Sequence, residues 1–256
     1  MTKPITVWLT PSGPNPWKVI TILEELQVPY TTHSFKFDDV KKPPFTNINP
    51  NGRVPAIIDP NTNLTLWESG AIIQYLIEVY DTKRLLTYDT LPEKHLLNQY
   101  LHFQMSGQGP YYGQCRWFNF LYPTKIPTAI DRYVNEVHRI LGVLNTILEG
   151  KTWLVGEKCT FADLAFVPWN CQLHMVLGMK EGEPLQTYPN VRDWHARMVG
   201  REAWKKAMMV RRRLMMEQGL EASGMPKGVR NIVEYVQLIA KGETEGEGEG
   251  ESGELC

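Results

Sequence analysis

Asn47-Ile48-Asn49-Pro50-Asn51-Gly52-Arg53-Val54-Pro55-Ala56-Ile57-Ile58-Asp59 is the stretch whose reading settles the fold. Asn51-Gly52 supplies a turn, and Ala56 to Ile58 is a short apolar run. Asp59-Pro60-Asn61-Thr62-Asn63 is dense in turn formers before Leu64 to Leu66 resumes the extended pattern. Two short strands joined as a hairpin result. Trp67-Glu68-Ser69-Gly70 then opens an apolar helix running to Tyr80. Pro55 precedes the first strand, where its missing N–H costs little, and a cis Val54-Pro55 bond would leave the N–H and C=O of Val54 unpaired. Such an edge can pair with a peptide. Glu68 and Ser69 stand where the helix begins, so a hydroxyl, free N–H groups and the helix dipole converge on a carboxylate held there. One site would grip both ends of a short peptide.

Upstream, Ile5, Val7 and Leu9 alternate with Thr6, Trp8 and Thr10, the period of a half-buried strand. The loop Pro11-Ser12-Gly13-Pro14-Asn15-Pro16 leads into Val19, Ile22, Leu23 and Leu26 at helical spacing, which Pro29 ends. Thr31 to Phe37 reads as a second strand with His33, Phe35 and Phe37 on one face. A βαβ unit followed by ββα is a thioredoxin-like arrangement, expected over residues 1–81. Residues 82–90 are polar and turn-rich and suit a linker.

From residue 91 the period is helical, and an all-α domain is expected over 91–218. Leu91 to Met105 reads as one helix; Val134, Val137, Leu141, Leu144 and Leu148 mark another, ended by Gly150. Thr160 and Asp163, three apart, form a capping box that should nucleate a buried helix from Leu164 to Leu173, with about 0.5–2 kcal/mol riding on the cap. Pro189 and Asn190 precede a helix carrying Val191, Trp194 and Met198. The basic run Lys205, Lys206, Arg211, Arg212 and Arg213 reads as a solvated face balanced by acids. Residues 219–256 form an extension: Ile232, Val236 and Ile239 are helix-compatible, and the Gly/Glu repeats after Lys241 are expected to be disordered.

The chain has 256 residues, 43% of them hydrophobic, enough for two packed cores. A formal net charge of -1 provides no global field toward nucleic acid or a membrane surface, so neither is an expected partner. No stretch is long and apolar enough to span a bilayer, and the first strand begins without a signal-peptide core before it, so the cytoplasm is the expected compartment. Cys115, Cys159, Cys171 and Cys256 are widely spaced, without a redox or metal-ligand motif, and read as reduced bystanders; no metal is expected.

Val54-Pro55 followed by Glu68-Ser69 resembles the glutathione site of the cytosolic glutathione transferases. The full run Asn49 to Ala56, then Glu68-Ser69-Gly70-Ala71-Ile72 and Tyr75-Leu76, is highly specific to that family. Pro14-Asn15-Pro16-Trp17-Lys18-Val19 resembles the Pro-Asn-Gly-aromatic-Lys-Val loop of its fungal nitrogen-regulator-like class, with Pro16 in place of glycine. Gln104-Met105-Ser106-Gly107-Gln108-Gly109-Pro110-Tyr111-Tyr112-Gly113-Gln114 matches the distinctive helix of the same class.

The resemblance implies that Val54, beside Pro55, pairs its backbone with glutathione's cysteine, and that Glu68 and Ser69 hold the γ-glutamyl end. Relatives often place His or Gln at the position of Val40 for the glycyl carboxylate; here Lys41, Lys42 or Arg53 would serve, with Asn49 ordering the loop. A free thiol has a pKa near about 8.5, so the enzyme must stabilise the thiolate, at roughly 1.4 kcal/mol per unit of lowering. Gly13 stands where many relatives carry the hydroxyl for this task. Asn15 is the favoured replacement donor and Ser12 the alternative. The co-substrate is expected between the domains against Met105, Gln108, Tyr111, Tyr112 and Trp117, an aromatic surface with phenolic donors. Cys115 has no visible activating partner and is not nominated as a nucleophile.

Three functions compete on these residues. The first is a transferase that adds glutathione's thiolate to a hydrophobic electrophile, with glutathione as co-substrate. The second is a glutathione-dependent cis–trans isomerase of fungal secondary metabolism, acting by reversible thiolate addition. The third is a non-catalytic regulatory binding protein. The resemblance also implies a homodimer.

Overall fold

In the computed structural model, residues 2–248 are described, with side chains through residue 240. The N-terminal half runs β1 (Ile5–Leu9), α1 (Asn15–Glu25), β2 (Tyr30–Ser34), α2 (Phe45–Ile48), β3 (Ala56–Asp59), β4 (Leu64–Trp67) and α3 (Ser69–Tyr80). The helical half comprises α4 (Leu91–Phe103), α5 (Gly109–Arg116), α6 (Pro127–Ile147), α7 (Phe161–Leu164), α8 (Val167–Asn170), α9 (Leu173–Leu177), α10 (Pro189–Val199), α11 (Glu202–Glu217) and α12 (Ile232–Gly248). The sheet order is β2-β1-β3-β4, with β1 parallel to β2 and the other pairs antiparallel. This is the expected thioredoxin-like α/β unit followed by an all-α unit.

Alternation along β1 divides the sheet's two faces. Ile5, Val7 and Leu9 are fully buried among the helices. On the other face Trp8 stacks on His33 at 3.7 Å, and Phe35 packs on Phe45 at 4.8 Å. Phe37 does not continue that row. β2 ends at Ser34, and Phe37 opens a 3-10 turn (Phe37–Lys41) in which it is 53% exposed.

The helices depart from the sequence pattern in three places. A π-helical turn, Gln104–Gln108, continues α4 into α5, and a second, Trp117–Leu121, comes after α5. The helix expected from Leu164 to Leu173 is instead three short ones. Pro168 has no N–H to give to Leu164, and the hydrogen bonds tighten to three-residue steps at Phe166 and Gln172. Pro189 and Asn190 are the first residues of α10, not its prelude; Asn190 bonds Asn145 of α6 through both its main-chain N–H and its amide.

The expected box at Thr160 and Asp163 is present and does more than cap. Asp163, fully buried, accepts from the N–H of Leu154 (2.9 Å), the N–H of Thr160 (2.8 Å), the hydroxyl of Thr160 (2.6 Å) and the indole of Trp194 (2.9 Å). It joins α7 to the preceding loop and to α10.

The basic run lies on α11. Lys205 pairs with Glu202 at 2.6 Å, as a solvated face would. Arg211 instead turns inward and donates to the carbonyl of Pro11 at 3.2 Å. The C-terminal extension packs back. Leu220 bridges Pro226, Gln218 donates to the Ser34 hydroxyl, and Tyr235 donates to Asp38 at 2.9 Å. Asn231 caps α12 by accepting from the N–H groups of Val233 and Glu234, each at 3.0 Å. α12 extends to Gly248, into the first Gly/Glu repeats. Residues 249–256 of the end expected to be disordered lie outside the described residues.

Candidate functional site

At the start of α3, Glu68 adopts a left-handed backbone (φ 70°) as the N-cap, and Ser69 is 3% exposed. The unsatisfied N–H groups of the first turn and the serine hydroxyl share this point. Behind it lies Lys18, fully enclosed in α1 between Trp17 and Val19. Its ammonium donates to Gln104 Oε1 at 2.6 Å and to Ser69 Oγ at 3.4 Å. Burial pushes its pKa down to about 7, opposed by the negative charge of Glu68. Gln104 passes the chain of bonds to Gln108 (2.9 Å), and Gln108 to Asn170 (2.8 Å), so α1, the π-helical turn after α4 and α8 are linked through one polar line. Gly70 makes the approach possible: a Cβ there would lie 3.1 Å from Met105 Cγ. In the sequence Lys18 enters only as a member of the Pro14 to Val19 loop motif, with no role of its own. The available signal was a lone charge inside the otherwise uncharged run Pro16 to Leu23, where a side chain cannot reach water.

At the head of β3 the Val54-Pro55 bond is cis. Val54 precedes the ladder residues of β3, which begin at Ala56. Asn49, 1% exposed, shapes the loop before it by donating to the Arg53 carbonyl and accepting from the Asn51 N–H at 3.0 Å. Lys41 Nζ donates to the Asn51 carbonyl at 2.8 Å, so it is part of the same loop, with Arg53 exposed beside it. Val40 is buried against Phe45 and presents no polar group.

Asn15 is the first residue of α1, and its Oδ1 accepts from the indole N–H of Trp169 on α8 at 3.2 Å. An indole only donates, so this bond fixes the amide orientation: oxygen toward Trp169, NH2 away from it. No protein acceptor meets that NH2 among the described residues. Removing the indole donor while keeping an aromatic ring, Trp169→Phe, frees the amide to flip. Should Asn15 hold a thiolate, the expected result is a fall of about 3–10-fold in kcat for glutathione addition, the loss of roughly one neutral hydrogen bond, measured with an activated aryl halide. An unchanged kcat would show that Trp169 does not orient the amide.

Beside this loop a cavity of about 1010 Å³ opens, with Ser12 and Gly13 in its wall together with Phe35, Arg116, Trp117 and Tyr235. Of the residues expected around a co-substrate, Trp117 lines this cavity. Gln108 and Tyr112 have no exposed surface and are corrected to interior residues. Tyr111 packs on Tyr133, and Met105 sits at 3.6 Å from both Lys18 Nζ and Ser69 Oγ. The missing wall is the C-terminal extension. Leu220, Met225, Ile232, Tyr235, Leu238 and Ile239 line the cavity, whereas Val236 faces out. Gly224, at φ 84°, passes so close that a Cβ would lie 2.8 Å from that of Ser12.

Cys115 is buried, donates to the Val176 carbonyl at 3.3 Å and has its thiol pushed up to about 11 by burial, the opposite of an activated nucleophile. Among the described residues no group of three His, Cys, Asp or Glu could hold a metal, and no helix is long and apolar enough to cross a membrane.

Residues 3–78 match the N-terminal domain of glutathione S-transferases, and residues 119–202 match their C-terminal domain. The glutathione S-transferase-like protein gedE of Aspergillus terreus is 46% identical over 215 residues, covering 80% of this chain and 94% of the relative. The glutathione transferase URE2P6 of Phanerochaete chrysosporium, solved in complex with oxidized glutathione, superposes with a TM-score of 0.79 at 41% identity over 83% of this chain and 98% of the other. Ure2p5 of the same fungus, cocrystallized with 1-(S-glutathionyl)-2,4-dinitrobenzene, gives a TM-score of 0.76 at 35% identity over 85% and 98%. With both domain matches in chain order on the architecture described above, this chain belongs to the glutathione S-transferase family.

Proposed function

We propose that the protein is a cytosolic glutathione transferase that holds the glutathione thiolate at Asn15 and adds it to a hydrophobic electrophile in the neighbouring cavity. In this reading Val54 pairs with the cysteinyl main chain, and Ser69 with the α3 N–H groups takes the γ-glutamyl carboxylate. Glu68 takes its ammonium, and Lys41 or Arg53 meets the glycyl end. The observation that carries it is the Asn15 amide, whose oxygen is held by Trp169 so that two N–H donors remain for an anion beside Ser12 and Gly13. The solved relatives with glutathione and a glutathionyl conjugate support the ligand. In the reaction the thiol proton leaves to solvent, the sulfur forms a bond to the electrophilic carbon, and on an aryl halide the halide departs.

A hydrogen bond to a charged acceptor contributes about 1.5–3 kcal/mol, so Asn15→Ala is expected to lower kcat about 10–100-fold. The acid limb of the pH–rate profile should move up by about 1–2 units. Loss on Ser12→Ala with none on Asn15→Ala would transfer the role to Ser12, and no binding at millimolar glutathione would end the transferase reading. Glutathione recovered intact with an isomerised product would redirect it to reversible addition. The homodimer is proposed from the family resemblance, with Leu85, Leu91 and Leu96 as exposed apolar residues at the start of the helical half. Sedimentation at micromolar concentration tests it.

A further inference from the structure

Arg116 ends α5 and stands in the cavity wall with Ser12, Gly13 and Trp117. Nη1 donates to Gln172 Oε1 at 2.5 Å and Nη2 to the Ser223 carbonyl. Nε is buried with no partner. Both acceptors are neutral, and among the described residues no carboxylate lies within ion-pair distance of this guanidinium. The charged neighbour that acts on it is Arg211, of the same sign, bonded to Pro11 on the thiol loop. Burial and Arg211 lower the Arg116 pKa to about 10, which leaves it a cation at neutral pH. The cavity's carboxylates, Asp38 and Asp39, belong to the 3-10 turn after β2, and Asp38 already accepts the hydroxyl of Tyr235.

Arg116 is half-buried, and a guanidinium partly removed from water without a counter-ion carries a desolvation cost that an anionic ligand would offset. Phe35, Trp117, Leu121 and Leu220 give the wall around Arg116 its apolar surface, and Lys36 and Lys42 are its other cations. We propose that Arg116 anchors an anionic oxygen, a carboxylate or ionised phenol, carried by an apolar aromatic co-substrate that fills the cavity. The proposal rests on the transferase reading and narrows its substrate class. Glutathione's own thiolate is the other anion that reaches this loop, and the test separates the two.

The test uses the full chain with glutathione and a matched pair of acceptors, benzylideneacetone and its para-carboxylate. Wild type is expected to favour the carboxylate, and Arg116→Gln to lower the carboxylate-to-neutral ratio of kcat/KM about 10–100-fold, with Arg116→Lys retaining part of the preference. Equal loss on both acceptors would assign Arg116 to clamping Ser223 or to the thiolate, and would overturn the proposal. If the variants do not fold, wild type is titrated with the saturated analogues of both probes in the absence of glutathione, monitored by tryptophan fluorescence. Equal affinity overturns the proposal, as does a carboxylate preference lost on Lys36→Met or Lys42→Met; tighter binding of the carboxylate that survives both substitutions supports it. If wild type turns over neither probe, the transferase reading fails, and the same titration still decides the anion site.

Discussion

Asp163→Ala is expected to lower stability by about 4 kcal/mol, well beyond the loss of a helix cap, and the melting temperature by about 10 °C. A cap alone contributes about 0.5–2 kcal/mol. Asp163 accepts from four donors, of which the main-chain N–H groups of Leu154 and Thr160 and the indole of Trp194 cannot turn elsewhere. Truncation strands these buried donors, each at about 1–3 kcal/mol, and leaves a void as well. Burial raises the carboxyl's pKa while the four donors pull against it, so the side chain depends on its partners as they depend on it. Thermal unfolding monitored by circular dichroism measures the effect. A loss under about 1 kcal/mol would reduce Asp163 to an ordinary cap.

Lys18→Met is expected to act in the opposite sense on stability and binding. An ammonium enclosed without an ion pair at hydrogen-bond distance is costly, so an apolar side chain of similar length should leave the free protein as stable or more so. Glutathione affinity should fall about 10–100-fold, because the positive charge behind Ser69 disappears where a carboxylate is to be held. The pH dependence carries a sign. The folded-state pKa is about 7 against an ordinary 10.5, so between those values the folded chain binds fewer protons than the unfolded one. Stability from this group therefore rises with pH across that window, and below it the full cost applies. Lys18→Met should flatten that slope. A bound carboxylate restores the charged form, so binding of an S-methylated glutathione, which has no thiol proton to lose, should take up protons near pH 8, visible by calorimetry in buffers of different ionisation enthalpy. Unchanged affinity in the methionine variant would show that Lys18 does not serve the ligand.

The features legible in the chain were local ones. Asn51-Gly52, Pro55 and the turn formers Asp59 to Asn63 act on their own neighbours, and they suffice to set the hairpin and the start of α3. Thr160 and Asp163 are three residues apart, and their box was legible for the same reason. The co-substrate surface was not. The resemblance and the aromatic content of the segment put Gln108 and Tyr112 on the co-substrate surface, but the π turn at Gln104–Gln108 adds a residue to the turn, and both side chains lie in the interior. Lys18 meets Gln104 across 86 positions, Arg116 meets Ser223 across 107, and Arg211 meets Pro11 across 200. No pattern in a short window holds those pairings. The basic run on α11 read as solvated because its composition is; only the approach of α1 turns Arg211 inward.

The stretch from Leu220 to Ile239 has a consequence for how the protein is made. It leaves the ribosome after every residue proposed to touch glutathione, so the peptide site is complete while Phe35 and Trp117 still face water. A chain terminated before Leu220 would keep the family's two matched regions and lose the wall of the cavity that Leu220 to Ile239 supply. Changes in this last stretch can thus alter which small molecules are admitted without altering Val54, Glu68 or Ser69, while Gly224 still bears on Ser12.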